Sequence, residues 1–283
     1  MSDIAASDTL FIGGGNMAQA LVGGLVARGL APERIHVVDP GEAARDALAS
    51  GFGVRVYATA AEAVDASDAA TWVFAVKPQV MREACESLGE VARSRRPLLV
   101  SIAAGITTAQ MARWLGPPAD GRALPIVRAM PNTPALLGAG VTGLHATATV
   151  DAAERAQADA LLSAAGPTVW VDDEAAMDAV TAVSGSGPAY VFLLAEAMEA
   201  AAVAEGLPAA DARTLVLQTI LGAARMLTEA GEPPAELRRR VTSPGGTTQA
   251  ALEAFEAGGL RALVADAIHA ARERGRALSA AND

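Results

Sequence analysis

The sequence predicts an α/β fold in which a doubly wound parallel sheet is followed by an all-helical domain. Two observations carry this prediction. Short apolar runs alternate with helical patterns up to residue 171, which is typical of a parallel sheet covered by helices. From residue 172 onward the strand-like runs end and only helical periodicity remains. We therefore divide the chain into domains 1–171 and 172–283.

Apolar segments of the first domain are predicted to form the strands of the sheet. In chain order they are Thr9–Ile12, Arg34–Val38, Val54–Tyr57, Thr71–Val76, Pro97–Ile102, Pro125–Met130, Val141–Thr147 and Pro167–Val171. Helical stretches lie between most of these segments, which favours parallel pairing. The last two segments are expected to close the sheet.

The second domain is predicted to consist of long helices separated by proline and glycine. Their expected bounds are Ala189–Glu205, Ala209–Ala230, Thr247–Ala257 and Leu260–Ser279. These helices are rich in alanine and leucine and carry few charges. The composition favours a helical interface between subunits, although a core within one chain explains it almost as well.

Composition narrows the possible functions. The formal net charge is −10, which disfavours nucleic-acid binding because that requires a basic face. Cys85 is the only cysteine, so neither an intramolecular disulfide nor a cysteine metal cluster is possible. The N-terminal residues do not resemble a signal peptide, and the apolar run Ala189–Ala204 is predicted to be too short and too charged to span a bilayer. We expect a cytoplasmic protein with no nucleic-acid partner, no membrane partner and no metal.

A glycine motif follows the first predicted strand and opens a helix. Gly13, Gly15 and Ala18 have the spacing G-x-G-x-x-A. The first glycine permits a tight turn, the second lets a pyrophosphate approach the backbone, and the small third residue allows close packing of helix and strand. The helix N-terminus then presents free amides to the phosphates. The motif predicts a Rossmann-type dinucleotide site formed by Gly13, Gly14, Gly15, Asn16, Met17 and Ala18.

Two charged residues at strand ends are candidates for cofactor contacts. Asp39 ends the second strand, about 20 residues after the glycine motif, where a carboxylate accepts hydrogen bonds from the ribose 2′-hydroxyl and repels a 2′-phosphate. This favours NADH over NADPH, although Arg45 lies nearby and a plain turn at Asp39-Pro40 is the alternative. Lys77, the only lysine in the chain, ends the fourth strand, where ligands bind in such sheets. Its alternative is an ordinary residue at the start of a helix.

The inventory of side chains indicates a substrate that needs little acid–base catalysis. Only three histidines are present, and His36, His145 and His269 are expected to be structural or exposed. Reduction of a ketone normally requires a proton donor such as histidine, lysine or tyrosine. A protonated cyclic imine fits this inventory, because its carbon is already electrophilic.

Two glycine-rich segments of the second domain are predicted to bind a carboxylate. In VTSPGGTTQA, Gly245 and Gly246 are expected to expose backbone amides before a helix that Thr247 or Thr248 caps. A threonine hydroxyl there can bond a ring nitrogen. VSGSGPAY, residues 183–190, has a similar flexible composition. A simple helix cap is the alternative for each segment.

The chain resembles the pyrroline-5-carboxylate reductases from about residue 9 to residue 275. The resemblance rests on FIGGGNMAQAL, FAVKPQ, VSIAAGIT, RAMPNTPALLGAG, VSGSGPAYVF and VTSPGGTTQAAL, in this order. It implies NAD(P)H-dependent reduction of Δ1-pyrroline-5-carboxylate to L-proline, the last step of proline biosynthesis. It also implies a homodimer built through the helical domain, or a larger ring of such dimers.

The resemblance assigns roles to individual positions. The cofactor cleft would be lined by Ala75, Val76, Lys77, Pro78, Ala103 and Ala104, and the nicotinamide would be flanked by Met130, Pro131 and Asn132. The substrate carboxylate would be bound by Ser243, Gly245, Gly246 and Thr247, and Val183, Ser184, Gly185, Ser186 and Gly187 would complete the pocket. Thr248 would bond the ring nitrogen and serve as the catalytic residue.

Three questions stay open at the level of the sequence. Many family members have small polar, asparagine or arginine residues where this chain has Asp39-Pro40, so the choice between NADH and NADPH is undecided. A β-hydroxyacid dehydrogenase shares the general layout, but it would need a lysine in the helical part, where this chain has none. A dinucleotide-binding sensor without activity would keep the glycine motif but has no reason for SPGGTT.

Overall fold

The structure is a computed structural model that describes residues 7–117 and 121–282. Contacts within the chain divide it into two compact units. The first comprises residues up to Ser186 together with those from Ala271 onward, and the second comprises Gly187–Ala270. The domain boundary at residue 172 stays a prediction, because it rests on a change of sequence pattern rather than on compactness.

The first unit is built on one sheet. Its strands are β1 Thr9–Ile12, β2 Ile35–Val38, β3 Arg55–Tyr57, β4 Thr71–Phe74, β5 Leu98–Ser101, β6 Ile126–Met130, β7 Thr142–Ala146 and β8 Thr168–Trp170. They lie in the order β3-β2-β1-β4-β5-β6-β7-β8. β1 to β6 are parallel, β7 is antiparallel to β6, and β8 is parallel to β7. The first six strands have the doubly wound order of dinucleotide-binding domains, so the predicted fold class is confirmed.

Helices cover the sheet and form the second unit. Those of the first unit are α1 Asn16–Ala27, α2 Glu42–Phe52, α3 Ala60–Ala66, α4 Pro78–Arg95, α5 Thr108–Leu115, α6 Ala152–Leu162 and α7 Met177–Val180. Short 3₁₀ helices span Pro32–Arg34, Thr133–Leu137, Ser163–Ala165 and Glu174–Ala176, and a π-helical turn spans Thr181–Gly185. The second unit has α8 Gly187–Ala204, α9 Ala209–Glu229, α10 Pro234–Arg240, α11 Thr247–Ala257 and the first part of α12 Leu260–Ala281.

The core of the first unit lies on both faces of the sheet. Successive side chains of a strand point to opposite faces, and β1 follows this rule. Phe11 packs in one buried cluster with Leu21 of α1, whereas Leu10 packs in the other with Met81 of α4. The two buried faces hold the strand ends rigidly, and those ends carry the predicted cofactor residues.

The second unit exposes a large part of its apolar surface. α8 packs against α9, but among the described residues of this unit only Ala212, Val216 and Leu237 are buried apolar side chains. Phe192 and Leu193 of α8 are each 66% exposed. The apolar composition of these helices therefore does not form a core within this unit.

One helical segment of the described chain, Glu174–Ala204, is long and apolar enough by length and composition to cross a membrane. The prediction that the region around Ala189–Ala204 is too short and too charged to span a bilayer is therefore wrong, as far as length and composition are concerned. The sequence-based estimate considered only Ala189–Ala204, whereas the structure joins that run to the helical residues before it. None of the apolar window is buried within this chain.

Candidate cofactor and substrate site

The turn between β1 and α1 fits tightly against the end of β4. Gly13 has φ +106°, and a Cβ there would lie 2.6 Å from the carbonyl oxygen of Ala75. The amide of Gly13 donates to the carbonyl of Val38 at 2.8 Å, and the amide of Ala75 donates to the carbonyl of Ile12 at 2.8 Å. The turn therefore lies where the order of the strands reverses, which is the ligand site of such sheets.

Gly15 leaves room for a ligand at the start of α1. It is the N-cap residue of that helix, and no described neighbour lies within 4 Å of the position that a Cβ would take. The first amides of α1 have no acceptor inside the helix, because an α-helix cannot pair them. Space and free donors together fit a pyrophosphate.

The carboxylate of Asp39 lies beside the same turn. It accepts hydrogen bonds from the amide of Gly14 at 2.9 Å and from the amide of Gly41 at 2.8 Å. Arg45 donates from one guanidinium nitrogen to the carbonyls of Asp39 and Pro40, at 2.8 and 2.9 Å. The carboxylate is thus fixed at the end of β2, where the adenine ribose binds in this fold.

The ends of β4 and β5 place further predicted residues along the same edge. Lys77 is exposed and is the N-cap residue of α4, and Pro78 opens that helix. Ala103 and Ala104 follow β5, and the amide of Ala103 donates to the hydroxyl of Ser101 at 3.3 Å. Because β1, β4 and β5 are parallel neighbours, their C-terminal ends meet. The structure thus brings together the predicted cofactor residues that follow these strands.

Asn132 connects the end of β6 to the segment predicted to complete the substrate pocket. Its side-chain amide donates to the carbonyl of Ser184 at 3.1 Å and accepts from the amide of Val141 at 2.9 Å. A Cβ on Gly185 would lie 2.6 Å from the terminal methyl of Met130. Met130 and Asn132 therefore lie directly against residues 184–185.

The expectation of a flexible loop over Val183–Gly187 is wrong. Thr181–Gly185 is a π-helical turn, closed by the amide of Ser186 donating to the carbonyl of Thr181 at 2.9 Å. α8 begins at Gly187. Glycine and serine at alternate positions look flexible in sequence, but here they form a helical turn in which the hydroxyl of Ser184 donates to the carbonyl of Val180 and Gly185 lies against Met130. Single π-helical turns inside helices often mark functional sites.

The segment Ser243–Thr248 lies in the second unit and begins α11. Gly246 is the N-cap residue, and no side chain caps the helix, so the prediction that Thr247 or Thr248 caps it is wrong. Gly245 has φ +69° and donates its amide to the side-chain oxygen of Gln249 at 2.8 Å. The amide of Gly246 donates to the carbonyl of Ser243 at 3.0 Å.

These bonds change which amides can bind an anion. The amides of Gly245 and Gly246 are engaged within the chain, whereas those of Thr247 and Thr248, in the first turn of α11, have no acceptor inside the helix. The helix dipole adds a partial positive charge at this end. Since neither threonine hydroxyl is used as a cap, the start of α11 combines donor amides with two hydroxyls.

The structure contains a buried ion pair beside the site that was not predicted from the sequence. Arg128 on β6 is 5% exposed, and its guanidinium lies 3.2 Å from Glu174 and 3.8 Å from Asp178. Glu174 also accepts from the amide and the hydroxyl of Thr108, at 2.8 and 2.6 Å. An arginine within an otherwise apolar strand was the available signal, because a buried charge requires a partner. Among the described residues, no group of three or more histidine, cysteine or acidic side chains is arranged to hold a metal.

A doubly wound sheet with an open glycine turn, a carboxylate at the end of β2 and a helical unit defines the class of NAD(P)-dependent oxidoreductases. Comparisons with known families agree. The model for pyrroline-5-carboxylate reductase dimerisation matches residues 174–278, and the model for NADP oxidoreductase coenzyme F420-dependent matches residues 9–105.

Individual proteins narrow the class to one family. The pyrroline-5-carboxylate reductase of Pseudomonas aeruginosa is 51% identical over 95% of this chain and 96% of its own. A solved pyrroline-5-carboxylate reductase from Coxiella burnetii is 41% identical with a TM-score of 0.90, covering 96% of this chain and 98% of the other. The Plasmodium falciparum pyrroline carboxylate reductase with NADP bound is 28% identical with a TM-score of 0.81, covering 97% and 98%. The chain belongs to the pyrroline-5-carboxylate reductase family, and the resemblance found in the sequence is confirmed.

Proposed function

We propose that this chain reduces the C=N bond of Δ1-pyrroline-5-carboxylate to give L-proline, with NAD(P)H as the hydride donor. This is the last step of proline biosynthesis. The observation that carries the proposal is that one chain holds both an open dinucleotide turn at Gly13–Ala18 and a helix start at Thr247 with free amides. Family membership supports the same reaction.

The residues of the sheet edge fit the cofactor. Gly13 has no room for a side chain because of Ala75, whereas Gly15 faces open space, so the turn is shaped for close approach of a pyrophosphate. The cofactor supplies a hydride when it is bound. Asp39 would hold the adenine ribose, Lys77 and Ala104 would line the cleft, and Met130 would flank the nicotinamide. These side chains would orient the cofactor along this edge of the sheet.

The Asp39 carboxylate favours NADH over NADPH. It is fixed in place by the amides of Gly14 and Gly41, so it cannot turn away from a 2′-phosphate without breaking both hydrogen bonds. A dianionic phosphate beside a carboxylate is repelled, whereas a ribose 2′-hydroxyl donates a hydrogen bond to it. Arg45 bonds two backbone carbonyls through one nitrogen and is the residue that would offset this repulsion.

The start of α11 would bind the substrate. The amides of Thr247 and Thr248 would hold its carboxylate, and the hydroxyl of Thr248 would bond the ring nitrogen. Hydride adds to the carbon of the protonated imine, the C=N π electrons move to nitrogen, and a neutral secondary amine results. Nitrogen therefore needs no further proton for the reduction itself, and catalysis is mostly positioning, which can lower a barrier by roughly 7–11 kcal/mol.

The protein is proposed to act as a homodimer in the cytoplasm, with dimers able to assemble further into a ring. The support is the exposed apolar surface of the second unit, including Phe192, Leu193 and Leu263, and the dimerisation model that spans residues 174–278. A partner subunit would bury the apolar helix Glu174–Ala204, which accounts for its composition without a membrane.

The proposed function is tested by identifying the product. Purified protein is incubated with Δ1-pyrroline-5-carboxylate and NADH or NADPH, and L-proline and oxidised cofactor are quantified together. The proposal expects equal amounts of both. Cofactor binding without proline formation would favour a non-catalytic dinucleotide sensor instead.

A further inference from the structure

We propose that the C-terminal end of α12 is a positioning element for the cofactor, because it holds the segment after β5 in place. We call residues 103–110 the β5–α5 segment and residues 278–282 the C-terminal clasp. Both belong to the first unit. The proposal rests on the proposed cofactor role of Ala103 and Ala104, and it adds a function for a part of the chain far from any sequence motif.

Two hydrogen bonds join the clasp to this segment. The side-chain amide of Gln110 donates to the carbonyl of Ser279 at 2.9 Å, and the side-chain amide of Asn282 donates to the carbonyl of Gly105 at 3.3 Å. Gln110 is 3% exposed. Since Gln110 and Ser279 are 169 residues apart in the chain, the contact is a product of the fold.

The backbone of the segment is shaped for this contact. Gly105 has φ +73°, and a Cβ there would lie 3.5 Å from the Asn282 side chain, 3.7 Å from the amide of Ser279 and 3.8 Å from the Cβ of Leu278. The α-carbon of Gly105 therefore faces the last turn of α12, one residue from Ala104.

The clasp also forms part of a small cavity beside the cleft. The lining of this cavity of about 170 Å³ includes Pro78 and Ala104 as well as Leu278 and Asn282. Pro78 and Ala104 follow β4 and β5, so the clasp reaches the residues proposed to line the cofactor cleft.

Gln110 links the clasp to the start of α5. Its side-chain oxygen accepts from the amide of Thr107 at 2.8 Å, completing a capping box, while its side-chain nitrogen donates to Ser279. Glu174 also fixes the segment, because it accepts hydrogen bonds from the amide and the hydroxyl of Thr108. The segment is thus ordered before the cofactor arrives, and pre-ordering reduces the entropy lost on binding.

The sharpest variant is Gln110→Glu. A capping box takes glutamate as well as glutamine at this position, so the cap on α5 is retained. The donor to Ser279 is lost, and the carboxylate faces the carbonyl of Ser279. A second variant ends the chain at Ala277 and removes the whole clasp. The matched controls are a chain ending at Asn282 and Arg276→Ala, which changes an exposed residue of the same helix that pairs with Glu273.

The measurement is titration of each protein with NADH and with NADPH, without substrate, followed by the KM for Δ1-pyrroline-5-carboxylate and the thermal midpoint. Loss of one or two hydrogen bonds corresponds to a weakening of roughly threefold to tenfold in cofactor Kd. The proposal expects this rise in Gln110→Glu and a larger one in the truncated chain, with the KM for pyrroline carboxylate within about twofold of wild type. The controls are expected to keep the wild-type Kd.

An unchanged cofactor Kd in Gln110→Glu would overturn the proposal, and so would an equal rise in the cofactor Kd and the substrate KM, which indicates general destabilisation. Failure of the truncated chain to fold leaves Gln110→Glu as the deciding variant. The titration needs no turnover. A protein whose cofactor Kd depends on the clasp but which forms no proline would therefore contradict the proposed function and leave this proposal standing.

Discussion

The side-chain amide of Asn132 donates to the backbone carbonyl of Ser184 at 3.1 Å, while its oxygen accepts from the amide of Val141. One side chain that is 9% exposed thus ties the segment beside the proposed nicotinamide position to the π-helical turn beside the proposed substrate position. In the proposed site, Asn132 would therefore affect the distance between the two reactants rather than the binding of either reactant alone.

Replacing Asn132 by aspartate is therefore expected to impair catalysis more than cofactor binding. The carboxylate keeps the acceptor for Val141 but faces the carbonyl of Ser184 without a proton to donate. Loss of a buried donor costs about 1–3 kcal/mol, which corresponds to a fall in kcat/KM for pyrroline carboxylate of about tenfold or more. Steady-state kinetics and a separate titration with cofactor check this prediction. A cofactor Kd that rises by the same factor as kcat/KM falls would contradict it.

Gly15→Ala is expected to separate folding from cofactor binding. No described neighbour lies within 4 Å of the added methyl group, and φ is −68°, so the fold tolerates it. The methyl group would occupy the space proposed for the pyrophosphate, and cofactor Kd should rise at least about tenfold, about 1.4 kcal/mol. Gly51→Ala is the matched control, since Gly51 also faces open space but lies on α2. If both variants bind the cofactor with equal affinity, the proposed contact between Gly15 and the pyrophosphate is contradicted.

Asp39→Asn is expected to shift the cofactor preference toward NADPH. The amide removes the charge that repels a 2′-phosphate but keeps an oxygen for the Gly14 or Gly41 amide. The ratio of kcat/KM for NADPH to that for NADH should rise by about tenfold. Glu42→Gln removes the same charge from an exposed position nearby and should leave the ratio unchanged. A wild-type protein that already prefers NADPH would show that Asp39 does not exclude the phosphate.

Thr248→Val is expected to lower kcat while cofactor Kd stays near the wild-type value. Valine keeps the shape and the backbone amide but removes the hydroxyl proposed to bond the ring nitrogen. A hydrogen bond to a charged group contributes about 1.5–3 kcal/mol, so its loss is expected to lower kcat by about 10–100-fold. Thr248→Ser restores a hydroxyl and should recover most of the activity. Wild-type turnover in the valine variant would exclude the assigned role.

His36 is expected to make stability depend on pH in a defined window. It is 0% exposed on β2, where it bonds Tyr57 at 2.8 Å and Asp8 at 3.2 Å. Burial lowers the pKa of His36 below its ordinary 6.5, because desolvation opposes the charged form more than Asp8 favours it. The folded state then prefers neutral histidine, so this contribution is complete above pH 6.5 and is lost as pH falls through the lowered pKa.

The pKa of Asp8 is also lowered from 3.8: burial alone would raise it, but Arg34 and His36 together outweigh that effect. Its contribution is lost only at more acidic pH. Urea midpoints measured between pH 7.5 and 4.5 should fall below pH 6.5 in wild type. His36→Gln should flatten that part of the curve, and an unaltered slope in this variant would contradict the assignment.

The strands and the glycine turn could be predicted from the sequence because their signals are local. Thr9–Ile12 has the predicted bounds, and β4 begins at the predicted Thr71 but ends two residues earlier than predicted. The other strands begin one residue later than predicted and end at most one residue earlier. Apolar runs of this length predict buried strands, and a glycine such as Gly13 is typical of a turn that requires a positive φ. Asp39 and Lys77, the two charged candidates, come after strand ends. The pattern of apolar residues predicts those ends, so it also predicts where these side chains lie.

The features that the sequence did not predict depend on residues far apart in the chain. The buried charge of Arg128 is balanced by Glu174, which lies 46 positions away in the chain. Gly185, in the π-helical turn, lies against Met130 on the preceding part of the chain. The clasp on Gly105 arises from the last turn of the last helix. None of these partners is visible in a local pattern.

The measurement that tests the central claim most directly is the initial rate of cofactor oxidation by the purified protein with Δ1-pyrroline-5-carboxylate, run in parallel with NADH and NADPH. The account predicts substrate-dependent oxidation, with the higher kcat/KM for NADH because of Asp39. If neither cofactor were oxidised when pyrroline carboxylate is added, the proposed reaction would be contradicted, whatever the affinity for the cofactor.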